Sequence, residues 1–364
     1  MTVEPALPPP PPPPDAAPRG LRRTDSRRVF LAGAIAVLVI LTGVTAFWYV
    51  TRSGPFATIE PSQWALDMTQ ATTLHGRGLT GRGVTVCLVD SGIDLTHPEL
   101  QAVDLVAWRD FVGTRTEPYD DEGHGTAMAA ILFARAKLSG VAPDASLVVA
   151  KAISASGSGT DAGIANAIRF CEDPDGNPLT PDGADVLSLS LGGQSLPFVG
   201  SLTENAVNFA MDRGVIVVAA AGNDGGPGDN GDVESPASVE RVIAVGAVNR
   251  QGEVASWSSI GRSAYGDPSK KPEVVAPGVS IATALPNGGY AYVSGTSPAT
   301  ALVAGVVALL LEEHAQYQRD ASRLDAFKTA LMYGACGCTA PVSHDAHGGY
   351  GIARGVGTGD LLLP

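Results

Sequence analysis

The arrangement of short apolar segments constrains the fold of this chain more than any other feature of its sequence. Five segments rich in β-branched residues follow one another, and stretches of helical composition, such as 125–136 and 161–171, lie between several of them. The five are residues 84–90, 146–151, 186–190, 215–220 and 242–246. Short apolar strands that alternate with helices are typical of a parallel sheet covered on both faces. The sequence therefore predicts an α/β fold, with a parallel sheet and helices on both of its faces.

An uncharged apolar segment, residues 29–50, precedes this region and is long enough to cross about 30 Å of membrane hydrocarbon as one helix. Positive charge is concentrated before it, since only Arg52 follows closely. The arginines before it are Arg19, Arg22, Arg23, Arg27 and Arg28. The positive-inside rule then places the N-terminus in the cytoplasm and the chain after residue 51 outside. The sequence thus predicts one transmembrane helix in a single-pass protein of the cell membrane.

A cleaved signal peptide, with Val44-Thr45-Ala46 as a small-residue cleavage site, is the alternative for this segment, although the segment is long for a signal peptide. Both interpretations place the rest of the chain outside the cytoplasm. Residues 1–28 contain an unbroken proline run and are predicted to form a disordered cytoplasmic tail; docking to an aromatic-lined domain is the alternative use of that run. Residues 51–62 are predicted to be a linker, and residues 63–364 a single domain.

The charge balance excludes one class of partner. The chain has 24 Lys and Arg residues against 37 Asp and Glu residues, which gives a formal net charge of −13 at pH 7. Nucleic-acid binding needs clustered basic residues that contact phosphates, so we expect no nucleic-acid partner. The sequence does not predict the oligomeric state.

Four cysteines are too few to form a disulfide scaffold. Cys87 lies in an apolar run, which indicates a small buried hydrophobic residue. The other three, which could supply one disulfide bond in an oxidising compartment, are Cys171, Cys336 and Cys338. Two of these precede His344 and His347 and loosely resemble a metal-ligand cluster. Zinc sites usually have a longer spacing between their cysteines, so no metal is predicted.

Polar residues follow several of the predicted strands, where parallel sheets usually form their sites. Asp90 ends the first apolar strand and could orient a histidine, or could merely close a turn. His124 lies in a Gly-His-Gly turn before an Ala-rich helix and could act as a general base, or be an ordinary loop histidine. Ser297 directly precedes an apolar helix, whose free N–H groups could stabilise an oxyanion, although such a serine is more often an N-cap. Asn223, in Asn-Asp-Gly, alone indicates only a turn.

Together these segments resemble the subtilisin-like serine proteases. The resemblance is carried by Asp90-Ser-Gly-Ile-Asp94, His124-Gly-Thr126, Ala221-Gly-Asn223 and Gly295-Thr-Ser297, which occur in the family's order. Unrelated folds carry the same triad in another order, so the order is informative. Further matches to the family's substrate-binding strand, facing edge strand and C-terminal motif are Ser190-Leu191-Gly192, Gly157-Ser158-Gly159 and Gly349-Tyr350-Gly351. The resemblance extends from about Gln63 to the C-terminus.

The resemblance implies a mechanism as well as a subtilisin-like fold. Ser297 would attack the peptide carbonyl, His124 would accept the proton of Ser297, and Asp90 would orient the imidazole. The side chain of Asn223 and the backbone N–H of Ser297 would form the oxyanion hole. We therefore expect a serine endopeptidase that acts on a protein or peptide substrate through an acyl-enzyme intermediate, without a cofactor.

The resemblance also bears on substrate preference. In this family the S1 pocket, which receives the side chain before the scissile bond, is bounded by the segment around the oxyanion Asn and by a loop that follows it. These segments here contain Asp224 and Glu234, with Asp229 and Asp232 between them. A carboxylate in that pocket would attract a substrate cation, so we expect Lys or Arg before the scissile bond. An acidic, solvated surface loop is the alternative in a chain of this net charge.

The sequence departs from the family pattern at several points. Ala127 stands where the family often has a second histidine, and Pro298 stands where Met commonly follows the nucleophile. Pro298 suits a first helical turn but disfavours helical backbone angles at Ser297. The stretch from His124 to Pro143 is shorter than in calcium-binding subtilisins and lacks their asparagine-rich loop, so we expect no calcium there. The short linker before Gln63 cannot hold the family's folding pro-domain.

Two other functions are compatible with the same residues. One is a catalytically inactive relative that binds peptides in the same groove, and the intact Asp90, His124 and Ser297 argue against it. The other is a serine esterase or a peptide ligase, which a shared triad does not exclude.

Overall fold

A computed structural model describes residues 59–177, 182–192, 201–226, 233–261, 270–337 and 343–362. The predicted tail, the predicted membrane segment and most of the predicted linker lie outside these ranges. Within them, one helix, Thr296–Glu313, has the length and apolar composition of a membrane span, and it is a largely buried helix of the domain.

Seven parallel strands form the main sheet in the described part of the chain. They are β1 (Thr85–Asp90), β2 (Asp104–Asp110), β3 (Ser146–Lys151), β4 (Val186–Leu189), β5 (Ile216–Ala220), β6 (Ile243–Val248) and β7 (Val274–Pro277). Their order across the sheet is β2-β3-β1-β4-β5-β6-β7. Two further strands, β8 (Ile281–Leu285) and β9 (Gly289–Val293), form an antiparallel hairpin. Parallel neighbours need crossover connections, and described helices lie in the connections from β2 to β3, from β3 to β4 and from β4 to β5.

Eight α-helices accompany the strands within the same ranges. They are α1 (Gln63–Met68), α2 (Ala71–Gly76), α3 (His124–Phe133), α4 (Asp161–Glu172), α5 (Leu202–Asp212), α6 (Thr296–Glu313), α7 (Leu324–Cys336) and α8 (Gly355–Gly359). Helix α4 packs against α5 and the strands β1 and β3, whereas α6 packs against α3 and the strands from β4 to β7. Consecutive residues of β1, β3 and β5 are buried, and consecutive residues of a strand point to opposite faces, so both faces of the sheet are covered. The predicted α/β class with a parallel sheet is confirmed, while the transmembrane helix before it stays a prediction.

The five strands predicted from the sequence all exist, with ends that shift by a residue or two. Strand β2 was not predicted because it lies at the edge of the sheet, where it pairs only with β3 and alternates between exposed and partly buried residues. Its sequence therefore lacks the continuous apolar run of a central strand.

Helix α6 is apolar on all sides because it is buried on all sides from Thr296 to Leu311. Gly305 lets it approach the loop after α3, since an added Cβ there would lie 2.5 Å from the Cβ of Val141. The first turn of α6 thus lies on a helix that the core of the domain holds in place.

A disulfide bond joins Cys87 in β1 to Cys171 near the end of α4, with an S–S distance of 2.04 Å. The interpretation of Cys87 as a simple buried hydrophobic residue was therefore wrong, although Cys87 is fully buried. Its apolar surroundings reflect its place in a central strand, and its partner is 84 residues away along the chain. Of the other three cysteines, which were expected to supply one bond, Cys171 bonds to Cys87 instead. Cys336 is disulfide-bonded as well.

Candidate active site

Asp90 and His124 form a hydrogen-bonded pair at the carboxyl end of β1. Asp90 is the last residue of β1, and His124 is the first residue of α3. The Nδ1 atom of His124 lies 2.7 Å from Oδ1 and 2.9 Å from Oδ2 of Asp90. The carboxylate also accepts the backbone N–H of Ser91 at 2.7 Å. A carboxylate that accepts a hydrogen bond from Nδ1–H leaves the lone pair of the neutral imidazole at Nε2, where it can accept a proton.

The loop before His124 is held by a second carboxylate. Asp120 accepts the backbone N–H groups of Gly123 at 2.8 Å and Thr126 at 2.9 Å, and the hydroxyl of Ser91 at 2.9 Å. Gly123 has a φ of 109°, which residues with a Cβ rarely adopt, so the chain turns directly into α3 there. Asp120 stands in no motif that would reveal it from the sequence, because its role depends on partners in two different segments.

The electrostatic surroundings of His124 favour its protonated form. Burial of the imidazole acts to lower its pKa, but the negative charges of Asp90, Glu122 and Asp120 outweigh burial, and the pKa of His124 is raised. Glu122 also accepts the backbone N–H of His124 at 2.8 Å. Burial in turn raises the pKa of Glu122, against the opposing influence of His124. Glu122 was not among the residues predicted from the sequence. Its position two residues before His124 was the one feature of the sequence that could have indicated its influence on the imidazole.

Ser297 lies in the first turn of α6, after the N-cap residue Gly295. Its side chain is buried, and its hydroxyl donates a hydrogen bond to the carbonyl of Ser190 at 3.4 Å. The hydroxyl of Ser190 donates to the carbonyl of Ser297 at 3.3 Å in return. Pro298 is the third residue of α6, as expected for a first helical turn, and α6 nevertheless includes Ser297.

Asn223 follows β5 and reaches the start of α6 with its side chain. Its Oδ1 atom accepts the backbone N–H of Thr296 at 2.9 Å and the hydroxyl of Thr296 at 3.1 Å. Because Oδ1 is held by a backbone donor, the orientation of the amide is fixed and its Nδ2 hydrogens remain to donate. The amide group therefore adjoins the residue directly before Ser297.

The two segments predicted to bind substrate follow the strands on either side of β1. Ser190-Leu191-Gly192 begins directly after β4, and Gly157-Ser158-Gly159 follows β3. The second segment is a turn in which the carbonyl of Ser158 accepts the backbone N–H of Ser154 at 2.9 Å. Only the first of these segments has hydrogen bonds to Ser297 among the described contacts. Substrate binding by either segment stays a prediction.

The two acidic residues predicted near the S1 pocket differ in their surroundings. Asp224 is exposed, and its carboxylate accepts the hydroxyl of Ser259. Glu234 is partly buried, and two glycines pack closely against its side chain. A Cβ atom added to Gly192 would lie 2.2 Å from Oε2 of Glu234, and one added to Gly222 would lie 2.8 Å from its Cγ. Glu234 therefore lies between the Ser190–Gly192 segment and the segment that carries Asn223.

Burial, and to a smaller extent the charge of Asp224, raise the pKa of Glu234 to about 7. Glu234 is thus close to half ionised at neutral pH, whereas a solvated glutamate would be fully charged. The other two acidic residues of this region, Asp229 and Asp232, lie outside the described residues.

Two described residues of the loose metal-ligand resemblance have other partners in the structure. The sulfur of Cys336 is in a disulfide bond, and Nε2 of His344 lies 2.8 Å from the carbonyl oxygen of Pro272. Elsewhere in the described residues, Asp173, Asp175 and Asp182 bring carboxylate oxygens within 4.8 Å of one another. This group follows α4, away from the residues described above in sequence, and such acidic groups are common without an ion.

A family model described as the Subtilase family matches residues 81–359 of the chain. The chain belongs to the subtilase family. The resemblance inferred from the sequence is thereby confirmed, and the matched range of this subtilase includes every residue of the candidate site, from Asp90 to Ser297.

Individual relatives agree with the family match. Subtilisin NAT of Bacillus subtilis subsp. natto is 38% identical over 255 residues, which cover 69% of this subtilase and 61% of that protein. Subtilisin of Bacillus pumilus is 37% identical over 255 residues, which cover 69% and 85% of the two chains. Alkaline protease of Alkalihalobacillus alcalophilus is 35% identical over 293 residues, which cover 79% and 70%. This subtilase therefore spans less than two thirds of the length of relatives such as Subtilisin NAT and Subtilisin E.

Proposed function

We propose that this subtilase is a serine endopeptidase, in which Ser297 is the nucleophile, His124 the general base and Asp90 the residue that orients the base. The observation that carries the proposal is the Asp90–His124 pair, in which Nδ1 lies 2.7 Å from the carboxylate. Membership of the subtilase family supports the same reaction class. The substrate is a protein or a peptide, and no step of the reaction requires a cofactor.

The reaction would proceed in two stages. The Oγ atom of Ser297 attacks the peptide carbonyl while Nε2 of His124 takes the hydroxyl proton, and the imidazolium that results is stabilised by Asp90. His124 then gives the proton to the leaving amine, and water hydrolyses the acyl-enzyme by the same route.

The oxyanion of the tetrahedral intermediate needs donors that are already in place. The backbone N–H of Ser297 belongs to the first turn of α6, where N–H groups have no partner within the helix. Asn223, whose Oδ1 is held by Thr296, supplies the second donor from its Nδ2. Loss of one such donor costs about 10²–10³-fold in turnover, a magnitude taken from a subtilisin.

The proposal predicts that Ser297 alone reacts with a serine-directed probe. The full-length chain in detergent should be labelled by a fluorophosphonate and should cleave casein, and Ser297→Ala should abolish both. Ser294→Ala, which removes a hydroxyl from the same segment, is the matched control and should keep both activities. Wild-type chain that folds but is not labelled would favour the inactive, peptide-binding relative. Labelling without cleavage of casein or peptides, together with hydrolysis of esters, would favour the serine esterase.

We further propose that the enzyme prefers Lys or Arg before the scissile bond, and that Glu234 rather than Asp224 causes this preference. Glu234 is partly buried against the Ser190–Gly192 segment and the Asn223 segment, so its charge would act on a substrate cation through little water. Asp224 is exposed and hydrogen-bonded to Ser259, so solvent would weaken its effect.

We also propose that residues 29–50 form a membrane helix, with the N-terminus in the cytoplasm and the catalytic domain outside. The arginines before the segment support this orientation. The Cys87–Cys171 disulfide supports an oxidising compartment for the domain, because disulfide bonds persist there and are rare in the cytosol.

A further inference from the structure

Lys151 is a fully buried lysine at the carboxyl end of β3. It pairs in register with Asp90 of β1 on one side and with Asp110 of β2 on the other. Its ammonium group donates to the carbonyl of Ser91, to the carbonyl of Ile153 at 2.9 Å and to a carboxylate oxygen of Asp121 at 2.7 Å. An ammonium group has three hydrogens, so these partners satisfy it completely. Such complete pairing is what makes a buried charge tolerable.

Two of the three partners of Lys151 belong to the segments that carry the Asp90–His124 pair. Ser91 directly follows Asp90, and Asp121 lies in the loop that leads to His124. The same two segments are also joined by the hydroxyl of Ser91, which accepts the backbone N–H of Gly125 at 2.8 Å. The ammonium group is thus the cationic member of a network that connects the end of β1 to the start of α3, in which Asp120 also takes part.

Lys151 also lies among negative charges. Carboxylates face this region from β1, from β2 and from the loop before α3: Asp90, Asp110, Asp120, Asp121 and Glu122. The ring of Tyr119 lies 4.8 Å from Nζ of Lys151, and its hydroxyl donates to Asp110 at 2.9 Å. Arg115 lies over the same ring but is exposed. Among the described residues of this group, Lys151 is the cation that is shielded from water and therefore acts on its neighbours most strongly.

We propose that Lys151 is a positioning residue of this peptidase: its ammonium group holds the Asp90–Ser91 strand end against the loop before His124, and so fixes the imidazole where it can take the proton of Ser297. The proposal rests on the proposed function. Lys151 is buried and contacts no residue predicted to bind substrate side chains, so its loss should lower kcat and leave KM nearly unchanged. A displacement of about 1 Å in a catalytic group can cost about 10²-fold in rate, which sets the size of the expected effect.

The test compares Lys151→Met with the matched control Lys137→Met, since Lys137 is an exposed lysine over the ring of Tyr290. We expect Lys151→Met to lower kcat about 10²-fold with KM within about twofold, and Lys137→Met to change neither. Removal of a cation from among the carboxylates should also raise the pKa of His124, so the acid limb of the kcat/KM profile should move to higher pH. Lys151→Arg, which keeps the charge, should keep the wild-type acid limb. A folded Lys151→Met variant with wild-type kcat and an unchanged acid limb would overturn the proposal.

Two further measurements test the role of Lys151 if the variant does not fold or if the wild-type chain is inactive. Should Lys151→Met fail to fold, Asp121→Asn removes the charged partner from the partly exposed end of the contact and should lower kcat in the same way, without a change in KM. If the wild-type chain is inactive, the proposed function fails. The pKa of His124 is then measured by NMR titration of the full-length chain, with histidine labelled at Cε1. A His124 pKa that is equal in the wild type and in Lys151→Met would contradict the positioning role independently of activity.

Discussion

The carboxyl group of Glu234 lies partly buried between Gly192 and Gly222, and its pKa is raised by burial and by Asp224 to about 7. A group with that pKa changes its charge within the range in which proteases are commonly assayed. The proposed preference for Lys or Arg should therefore depend on pH, because only the ionised carboxylate attracts a substrate cation. The Coulomb attraction between a carboxylate and a cation 4 Å apart is about 4 kcal/mol at an effective dielectric constant of 20, before the cost of desolvation is subtracted.

We predict that the advantage of a Lys substrate over a Leu substrate in kcat/KM rises several-fold from about pH 6 to about pH 8, as Glu234 ionises. Glu234→Gln should remove this rise, whereas Asp224→Asn should retain most of it. Peptides that differ only in the residue before the scissile bond would be compared at low and high salt. The idea fails if Leu or Phe is preferred at every pH, or if the rise survives in Glu234→Gln.

Glu122 provides a second prediction at the residue scale. Its negative charge is among those that raise the pKa of His124, so Glu122→Gln should lower that pKa. His124 must be neutral to act as a base, and the acid limb of the kcat/KM profile should consequently move to lower pH. Glutamine can still accept the backbone N–H of His124. Glu117→Gln, which changes an exposed residue of the same region, is the control and should leave the limb in place; an unmoved limb in Glu122→Gln would count against this account.

The residues of the site differ in how far the sequence could reveal them. Asp90, His124 and Ser297 stand in short motifs whose order along the chain is informative by itself. Glu122 and Lys151 stand in no such motif, because their effects arise from atoms that other segments bring to them. The sequence also could not rank Asp224 and Glu234, since the difference between them is their burial.

At the scale of elements, the Cys87–Cys171 disulfide fixes β1, which carries Asp90, to α4. The two cysteines are 84 residues apart along the chain, and in the chain-entropy model a closed loop of this size stabilises the folded state by about 4.5 kcal/mol. We predict that the double variant Cys87→Ala, Cys171→Ala has a free energy of unfolding lower by this amount, and therefore a lower denaturant midpoint. Equal midpoints for the oxidised wild type and the double variant would refute the estimate.

Among the elements, five buried strands were predictable from their apolar sequences, whereas the buried four-residue strand β7, which ends in a proline, was not predicted. Strands in the middle of the sheet have continuous apolar sequences, and all five that were predicted exist. Strand β2 escaped prediction because an edge strand is half exposed. The pairing of cysteines escaped it because pairing depends on which elements become neighbours, as β1 and α4 do here.

For the whole molecule, the orientation across the membrane is open to a direct test. Alkaline phosphatase becomes active only where its disulfide bonds can form, so a fusion at the C-terminus should be active in bacterial cells. A fusion after residue 28 is the control and should be inactive, since that residue is predicted to be cytoplasmic. An inactive C-terminal fusion would exclude the proposed orientation. Release of the domain with a new N-terminus at Phe47 would instead identify a cleaved signal peptide.

One copy of a protease can cleave the polypeptide of another copy. The bond between Cys87 and Cys171 limits the consequence of such a cut. Asp90 and His124 both lie inside the closed loop that this bond creates. A single cut anywhere within the loop leaves the two pieces covalently joined, so neither residue can diffuse away from the strands that surround it. Autolysis in this part of the chain would produce a nicked but connected enzyme, visible as two fragments only after reduction.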